Sequence, residues 1–265
     1  MILPRLPLPG RPAFVAVALL VGLLAAWQLI LSAINPRRTV IPAPLAVVET
    51  LVSDAPVFWQ HTVATAQEAI LGFLVGCSVA ISLALISLAF RPLEGAVLRV
   101  GLALYAAPII VIAPLLVLWL GPGIQTRVAV SALACFFGVL VNAVRGFKAV
   151  NRESLELLHV LSANPAQSFA KVRLPSALPY LLSALKIAAA AAVLGAIIGE
   201  WVGANEGLGV VLVYSLFQFQ VERLWAGMVL CTALALAGYA LVGLGERLLI
   251  PWHESVRISR LESGT

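Results

Sequence analysis

Apolar residues come along this chain in long unbroken runs rather than in alternation. The runs cover residues 14–34, about 67–89, about 100–120, 128–144, 180–199 and 225–249. Each is near the roughly 20 residues a helix needs to cross the hydrocarbon core. A transmembrane barrel would alternate over segments of about 10 residues instead. The pattern predicts an all-α integral membrane protein with about six transmembrane helices. One stretch departs from it. The segment NRESLELLHVLSANPAQSFAKVRLPSALPY, between the fourth and fifth runs, is amphipathic and charged. Such an island between membrane helices calls for a soluble partner to cover it.

Composition agrees with the runs. Of 265 residues, 62% are hydrophobic and 11% charged, and the mean hydropathy is +1.04. A water-soluble domain cannot expose so much apolar area and stay dispersed. The first run follows Arg5 and Arg11 and leads into Asn35-Pro36-Arg37-Arg38. It is longer than the roughly 7–15 apolar residues of a secretory signal, so it reads as a retained span. An even number of spans puts both termini on one side. With the N-terminus inside, the inner segments hold twelve Lys and Arg residues: Arg5, Arg11, Arg91, Arg99, Arg145, Lys148, Arg152, Lys171, Arg173, Arg247, Arg257 and Arg260. The outer segments hold four, Arg37, Arg38, Arg127 and Arg223. This positive-inside bias accounts for the basic excess better than nucleic acid does, and it places the island in the cytosol. Residues 35–66 and 200–224 then face outward. Cys77, Cys135 and Cys231 each sit inside an apolar run, an odd count without short spacing that reads as buried thiols. No polar stretch is long enough for a second domain. The chain is expected to be one domain over 1–265, with its core at 60–250. It shows no internal repeat of the kind found in many secondary transporters.

Within the island, Asn151 can cap a helix, with Glu153 in its first turn against the positive dipole end. Leu155, Leu158 and Leu161 recur at helical spacing, joined by Leu157 and Val160, while Glu153, Glu156 and Ser162 take other positions. This predicts an amphipathic helix of about three turns. Asn164, Pro165 and Gln167 form the start of a second helix, as cap, first residue and capping-box residue. Pro175 and Pro179 are expected to break that helix before the fifth span. An interfacial helix lying on lipid would favour Lys and Arg on its polar face. The acidic Glu153 and Glu156 fit a knob that enters a groove on a soluble partner.

Glu156-Leu157-Leu158, three residues, Ser162, then nine residues to Val172-Arg173-Leu174-Pro175 resembles the EAA loop of ABC importer permeases. Two departures stand out. Leu157 and Leu158 replace the two alanines, and Ser162, followed by Ala163, replaces the glycine. Ile41-Pro42-Ala43-Pro44, Thr62 to Gly76 (TVATAQEAILGFLVG) and Glu200-Trp201-Val202-Gly203-Ala204 with Gly207-Leu208-Gly209 resemble the sulfonate, taurine, nitrate and pyrimidine-precursor permeases. The EWVGA wording and Pro251-Trp252-His253 look most like the hydroxymethylpyrimidine (thiamine-precursor) type. The resemblance implies a permease in a prokaryotic inner membrane, both termini cytoplasmic, with residues 150–176 as coupling helices docked on two ATP-binding subunits. ATP and Mg would sit on those partners, with no cofactor on this chain. It further implies an extracytoplasmic solute-binding protein, a second copy of the chain, and a pathway along the two-fold axis. Sulfonate, taurine or nitrate remain alternative solutes.

Candidate pathway residues follow from residue type. Ala188 to Ala192, Gly195, Gly72 and Gly76 suit close helix contact. Pro108 and Pro114 are expected to break the third span; Gly121-Pro122-Gly123 reads as an outer turn. Lys186 is an intramembrane cation, functional by default, yet its long stem favours snorkelling to the interface. Glu200, Glu206 and Glu222 fall in the outer loop with Trp201 as anchor. By resemblance this loop meets the binding protein or helps close an outer gate; otherwise it is a solvated connector. Tyr105, Trp119, Asn142, Tyr214 and Gln218 are candidate polar contacts. Enzymatic readings lack support. His61, His159 and His253 fall outside the predicted spans, and Lys148, Lys171 and Lys186 do not follow a glycine as a phosphate loop requires. An ion-gradient transporter should carry carboxylates in mid-span. Glu68 is expected at a span edge, Glu94 in a short inner loop and Glu246 near the inner end of the sixth span.

Overall fold

The structure is a computed structural model that describes residues 11–33 and 41–250. Expectations resting on Arg5, the corner from Asn35 to Arg38, the ending Pro251-Trp252-His253, Arg257 and Arg260 concern residues outside that set. The elements are α1 (Arg11–Ala33), α2 (Pro44–Ser53), α3 (Ala55–Ala89), α4 (Arg91–Ala106), α5 (Ile109–Leu120) and α6 (Ile124–Lys148). They continue with α7 (Arg152–Val160), α8 (Pro165–Ser168), a π-helical turn (Phe169–Arg173), α9 (Leu174–Glu200), α10 (Leu208–Phe217) and α11 (Val221–Leu249). Among the described residues, four helices are long and apolar enough to cross a membrane: α3, α6, the run Pro165–Glu200, and α11. The pair α4 and α5 makes a fifth if counted as one span.

Three expectations are corrected here. The third apolar run breaks at Pro108 as expected, with α4 and α5 meeting at 98°, but not at Pro114. Pro108 disfavours helical geometry in the residue before it, and Ala107 is accordingly extended, at φ −71° and ψ 127°. Pro114 breaks nothing and lies inside α5. Second, Pro175 and Pro179 do not end the helix that starts at Pro165; Pro165–Glu200 runs on for 36 residues. The π turn shifts the backbone pairing just ahead of Pro175, with the Leu174 N–H donating to the Phe169 carbonyl. A bulge of this kind takes up a proline without a break. Third, the helices outrun their apolar cores. α3 begins at Ala55, some residues before the apolar run, and α6 covers Ile124–Lys148. Gln60, His61, Thr65 and Glu68, which interrupt the apolar pattern, are helical because their polar groups find partners.

The core is a three-helix contact among α3, α6 and α9. Ala80, Ala84, Val139, Ala143, Ala177 and Ala188 are buried there. A Cβ added at Gly72 would overlap Ser131, at Gly76 the Ala132 carbonyl, and at Gly195 the Ser131 backbone. The small-residue stripes therefore set close helix contact within the chain. Ser131 donates its hydroxyl to the Ala192 carbonyl at 2.8 Å, in the interior. Cys77 and Cys135 are buried free thiols, and Cys231 is half-buried. Peripheral helices are pinned individually. Lys148 on α6 pairs with Glu94 on α4 at 2.6 Å, and Trp27 on α1 meets Trp225 on α11 edge to face at 5.3 Å.

Candidate functional site

α7 starts after Asn151, which sits in the cap position without a side-chain cap bond. Its end is more telling. The Ala163 N–H donates to the Leu158 carbonyl at 2.9 Å and the Ser162 N–H to the His159 carbonyl at 3.0 Å. That is a Schellman ending, which places the residue after the cap in left-handed backbone. Ser162 takes that place, at φ 52°. It stands where the resembling loop carries glycine, and the geometry supplies the reason a glycine suits it. Asn164 then opens the next helix with a full capping box. Its Oδ1 accepts the Gln167 N–H at 2.8 Å, and the Gln167 Oε1 accepts the Asn164 N–H at 3.0 Å.

The bend leaves an apolar ridge bare. Leu157, Val160 and Leu161 are 60%, 79% and 66% exposed. Glu153 and Glu156 flank it in solvent, while Leu155, Leu158 and Ala163 are half-buried. The base is fastened. Arg173 donates to the Phe147 carbonyl at 3.3 Å, Phe169 packs on Phe147 at 5.9 Å, and Ala177 fills the space against Gly146. Leu174 is 37% exposed and Pro175 half-buried.

At the other end of the same long helix lies a buried polar knot. Glu200 is the last residue of α9 and is 2% exposed. One carboxylate oxygen accepts from the Thr65 hydroxyl at 2.6 Å, and the other from the Gly209 N–H. The Thr65 oxygen in turn accepts the Leu208 N–H at 2.8 Å, and His61 Nδ1 accepts the Gly207 N–H at 2.9 Å. These N–H groups open α10 and have no acceptors within it. Its own N-cap residue makes no side-chain cap bond. Side chains of α3 and α9 therefore cap α10 from outside, with a carboxylate at the positive dipole end. Gly207, at φ 126°, and Gly209 leave the room this requires; a Cβ on either would run into Glu200. Beside them Glu68, also 2% exposed, pairs with Arg127 at 2.6 Å. Gln60 donates to Glu206 at 3.2 Å across the same junction.

Several sequence expectations change on this geometry. Glu200 is neither loop nor solvated; it ends a span inside the protein. Glu68 lies well inside α3 rather than at a span edge, and His61 is on a span helix. The missing mid-span carboxylate therefore does not speak against an ion-driven transporter. Lys186 does not snorkel. Its Nζ lies 2.5 Å from Glu246, with the side chains 19% and 8% exposed, and 5.9 Å from the Tyr239 ring centre. Tyr105 stacks on Phe137 at 5.0 Å, Asn142 bonds back to the Gly138 carbonyl on its own helix, and Trp119 and Trp201 are exposed at 74% and 44%. Pro108 marks the bend before α5. Each of these is engaged separately. Sequence reasoning missed Thr65, His61, Glu68, Arg127, Gly207 and Gly209 as one unit. The available signal was the Glu200 to Gly209 spacing, a carboxylate followed by two glycines that make room for it.

Comparison with known proteins places these features. A model of the family "Binding-protein-dependent transport system inner membrane component" matches residues 71–253. The chain is 33% identical over 233 residues to the formylaminopyrimidine transport permease protein ThiX of Halalkalibacterium halodurans, covering 88% of this chain and 93% of that protein. It is 32% identical over 246 residues to the riboflavin transport system permease protein RibX of Chloroflexus aurantiacus, covering 92% of each. Among solved structures, a chain of the MetNI methionine ABC transporter in an inward-facing conformation matches with a TM-score of 0.55 at 21% identity, covering 72% of this chain and 94% of that one. At that identity the likeness is one of fold.

Proposed function

This chain belongs to the family of binding-protein-dependent transport system inner membrane components, is a membrane-spanning transport permease rather than an enzyme, and, we propose, carries a small uncharged nitrogen heterocycle into the cell as a homodimer. Its family works with ATP-binding subunits and a binding protein. On this reading residues 150–176 dock on two such subunits, which hold ATP and Mg, while this chain binds no cofactor. α1 adds the sixth span, both termini lie in the cytoplasm, and residues 1–265 form one domain with its core at 60–250.

The observation that carries the proposal is the continuous helix Pro165–Glu200 of 36 residues. At 1.5 Å per residue it spans about 54 Å. Its first residue follows the capping box beside the bare ridge, and its last holds the start of α10. A push on the ridge therefore reaches the knot through one hydrogen-bonded rod. The ridge itself, three exposed aliphatic side chains flanked by acids, fits a groove on a soluble subunit.

Solute class follows from charge pairing. Three cations in the bundle or at the knot end face an acid, Lys186 with Glu246, Arg127 with Glu68 and Arg223 with Asp54 at 3.6 Å, while Arg173, at the loop end, donates to the Phe147 carbonyl. A sulfonate would require a cation not already neutralised. The ThiX and RibX names, both of nitrogen heterocycles, support the same class. The test is the double variant Glu156→Lys with Leu158→Asp. The expected outcome is a chain that still inserts but no longer co-purifies with ATP-binding subunits and supports no uptake. Full uptake and co-purification in that variant would overturn the coupling role.

A further inference from the structure

Next to the knot, between the start of α3, α10 and the start of α11, lies a cavity of about 350 Å³. That is within the roughly 300–1,000 Å³ of small-molecule sites, toward the small end. We propose that this cavity is the solute-receiving subsite on the outer face and that it takes a single-ring, uncharged nitrogen heterocycle. The inference rests on the permease reading above and deepens it.

The lining is what such a solute needs. Val210 and Val211 line it with apolar surface, and both are buried, at 7% and 5% exposed. The Tyr214 ring lines it too and offers a face for stacking. The side-chain amides of Asn205, Gln218 and Gln220 also border the space. Each amide carries a donor beside an acceptor, the pattern that pairs with a ring nitrogen next to an amino group. His61 contributes a donor. Its Nδ1 is occupied by the Gly207 N–H, so the neutral ring bears its proton on Nε2. Arg223 also lines the cavity. Its Nε lies 3.6 Å from an Asp54 carboxylate oxygen, which balances its charge. A guanidinium whose charge is already balanced suits an uncharged solute better than a sulfonate. Among the described residues, no carboxylate lines the space.

The cavity is also coupled to the rod. Gly207 and Gly209 at the head of α10 are held by His61 and Glu200, and Val210, Val211, Tyr214 and Ser215 on the same helix line the cavity. A shift of α9 therefore changes the cavity's shape directly.

Ser215 provides the test, because it lines the cavity yet is only 2% exposed. The whole transporter, with its ATP-binding subunits and its solute-binding protein on the outer face, is placed in sealed vesicles after Cys77, Cys135 and Cys231 are replaced by Ala and Ser215→Cys is introduced. A membrane-impermeant methanethiosulfonate cation is added from the outer face, with formylaminopyrimidine or taurine as protecting probe. The expected result is labelling that slows saturably with formylaminopyrimidine, about tenfold at about ten times its Kd, and not with taurine. Protection by neither probe, or by taurine alone, overturns the proposal. So does a Ser215→Cys thiol that never reacts, provided Gln218→Cys at the exposed rim does react and so reports a folded, accessible protein. ATP-dependent uptake by the parent vesicles is read separately; if they take up no solute at all, it is the permease reading that has failed.

Discussion

Lys186 and Glu246 give a quantitative test of how a cation is kept inside this membrane protein. The Nζ–Oε2 separation is 2.5 Å, and the side chains are 19% and 8% exposed. Removing one partner of a buried pair typically destabilises by about 3–5 kcal/mol. Here the side chains keep 19% and 8% exposure, and the Lys186 stem can bend toward the interface. Both reliefs lower the penalty to about 2 kcal/mol for Lys186→Met or Glu246→Met alone. Replacing both residues by Met removes attraction and desolvation together, and should lie within about 1 kcal/mol of the parent. The coupling in this cycle is therefore about 4 kcal/mol in magnitude. Unfolding midpoints of the purified protein in mixed micelles with rising dodecyl sulfate would measure it. A coupling under about 0.5 kcal/mol, the level of independent sites, would show that the two groups do not stabilise one another. Uptake adds a second reading. The Met/Met variant should still transport, because the pair is structural; loss of uptake at unchanged stability would make Lys186 a pathway residue after all.

Three further outcomes follow from the geometry. Ser162→Gly should stabilise the chain by about 1 kcal/mol, because left-handed backbone at a non-glycine residue costs about 1–2 kcal/mol and part of that returns as unfolded-state entropy; thermal unfolding in detergent would show no gain if Ser162 is unstrained. Thr65→Val removes a donor to Glu200 and an acceptor for the Leu208 N–H, and should destabilise by about 1–3 kcal/mol. It should also raise hydrogen exchange at residues 207–209, whereas unchanged exchange there would mean that α10 is held by packing alone. Gly76→Val places side-chain atoms against the Ala132 carbonyl; a drop in folded yield is expected, and normal yield would show that α3 and α6 can separate without penalty.

How much of this was legible from the chain depends on the range of the interaction concerned. Apolar runs of span length, a positive-inside bias and the capping box at Asn164 are local signals, and they identified the membrane class and the start of the second loop helix. The EAA-like spacing, also local, pointed to the family. Pro108 breaks its run as expected, but Pro114, Pro175 and Pro179 were misread because the effect of a proline depends on what surrounds it. Pro108 makes a 98° corner between α4 and α5, whereas Pro175 is absorbed by a π turn that no residue pattern announced. Charges were misread for the same reason. Lys186, Glu68 and Glu200 look alike in sequence, as ionisable residues near span ends. Their state was decided by partners 60, 59 and 135 residues away, in Glu246, Arg127 and Thr65. In a low-dielectric interior an ionisable group is settled by whichever opposite charge or donor reaches it, and only the packing of α3, α6, α9 and α11 brings those groups together. The sequence alone determined that this chain crosses a membrane and carries an amphipathic, charged segment between its fourth and fifth runs. The tertiary structure decided that the capping box beside that segment's bend and the buried knot are two ends of one helix.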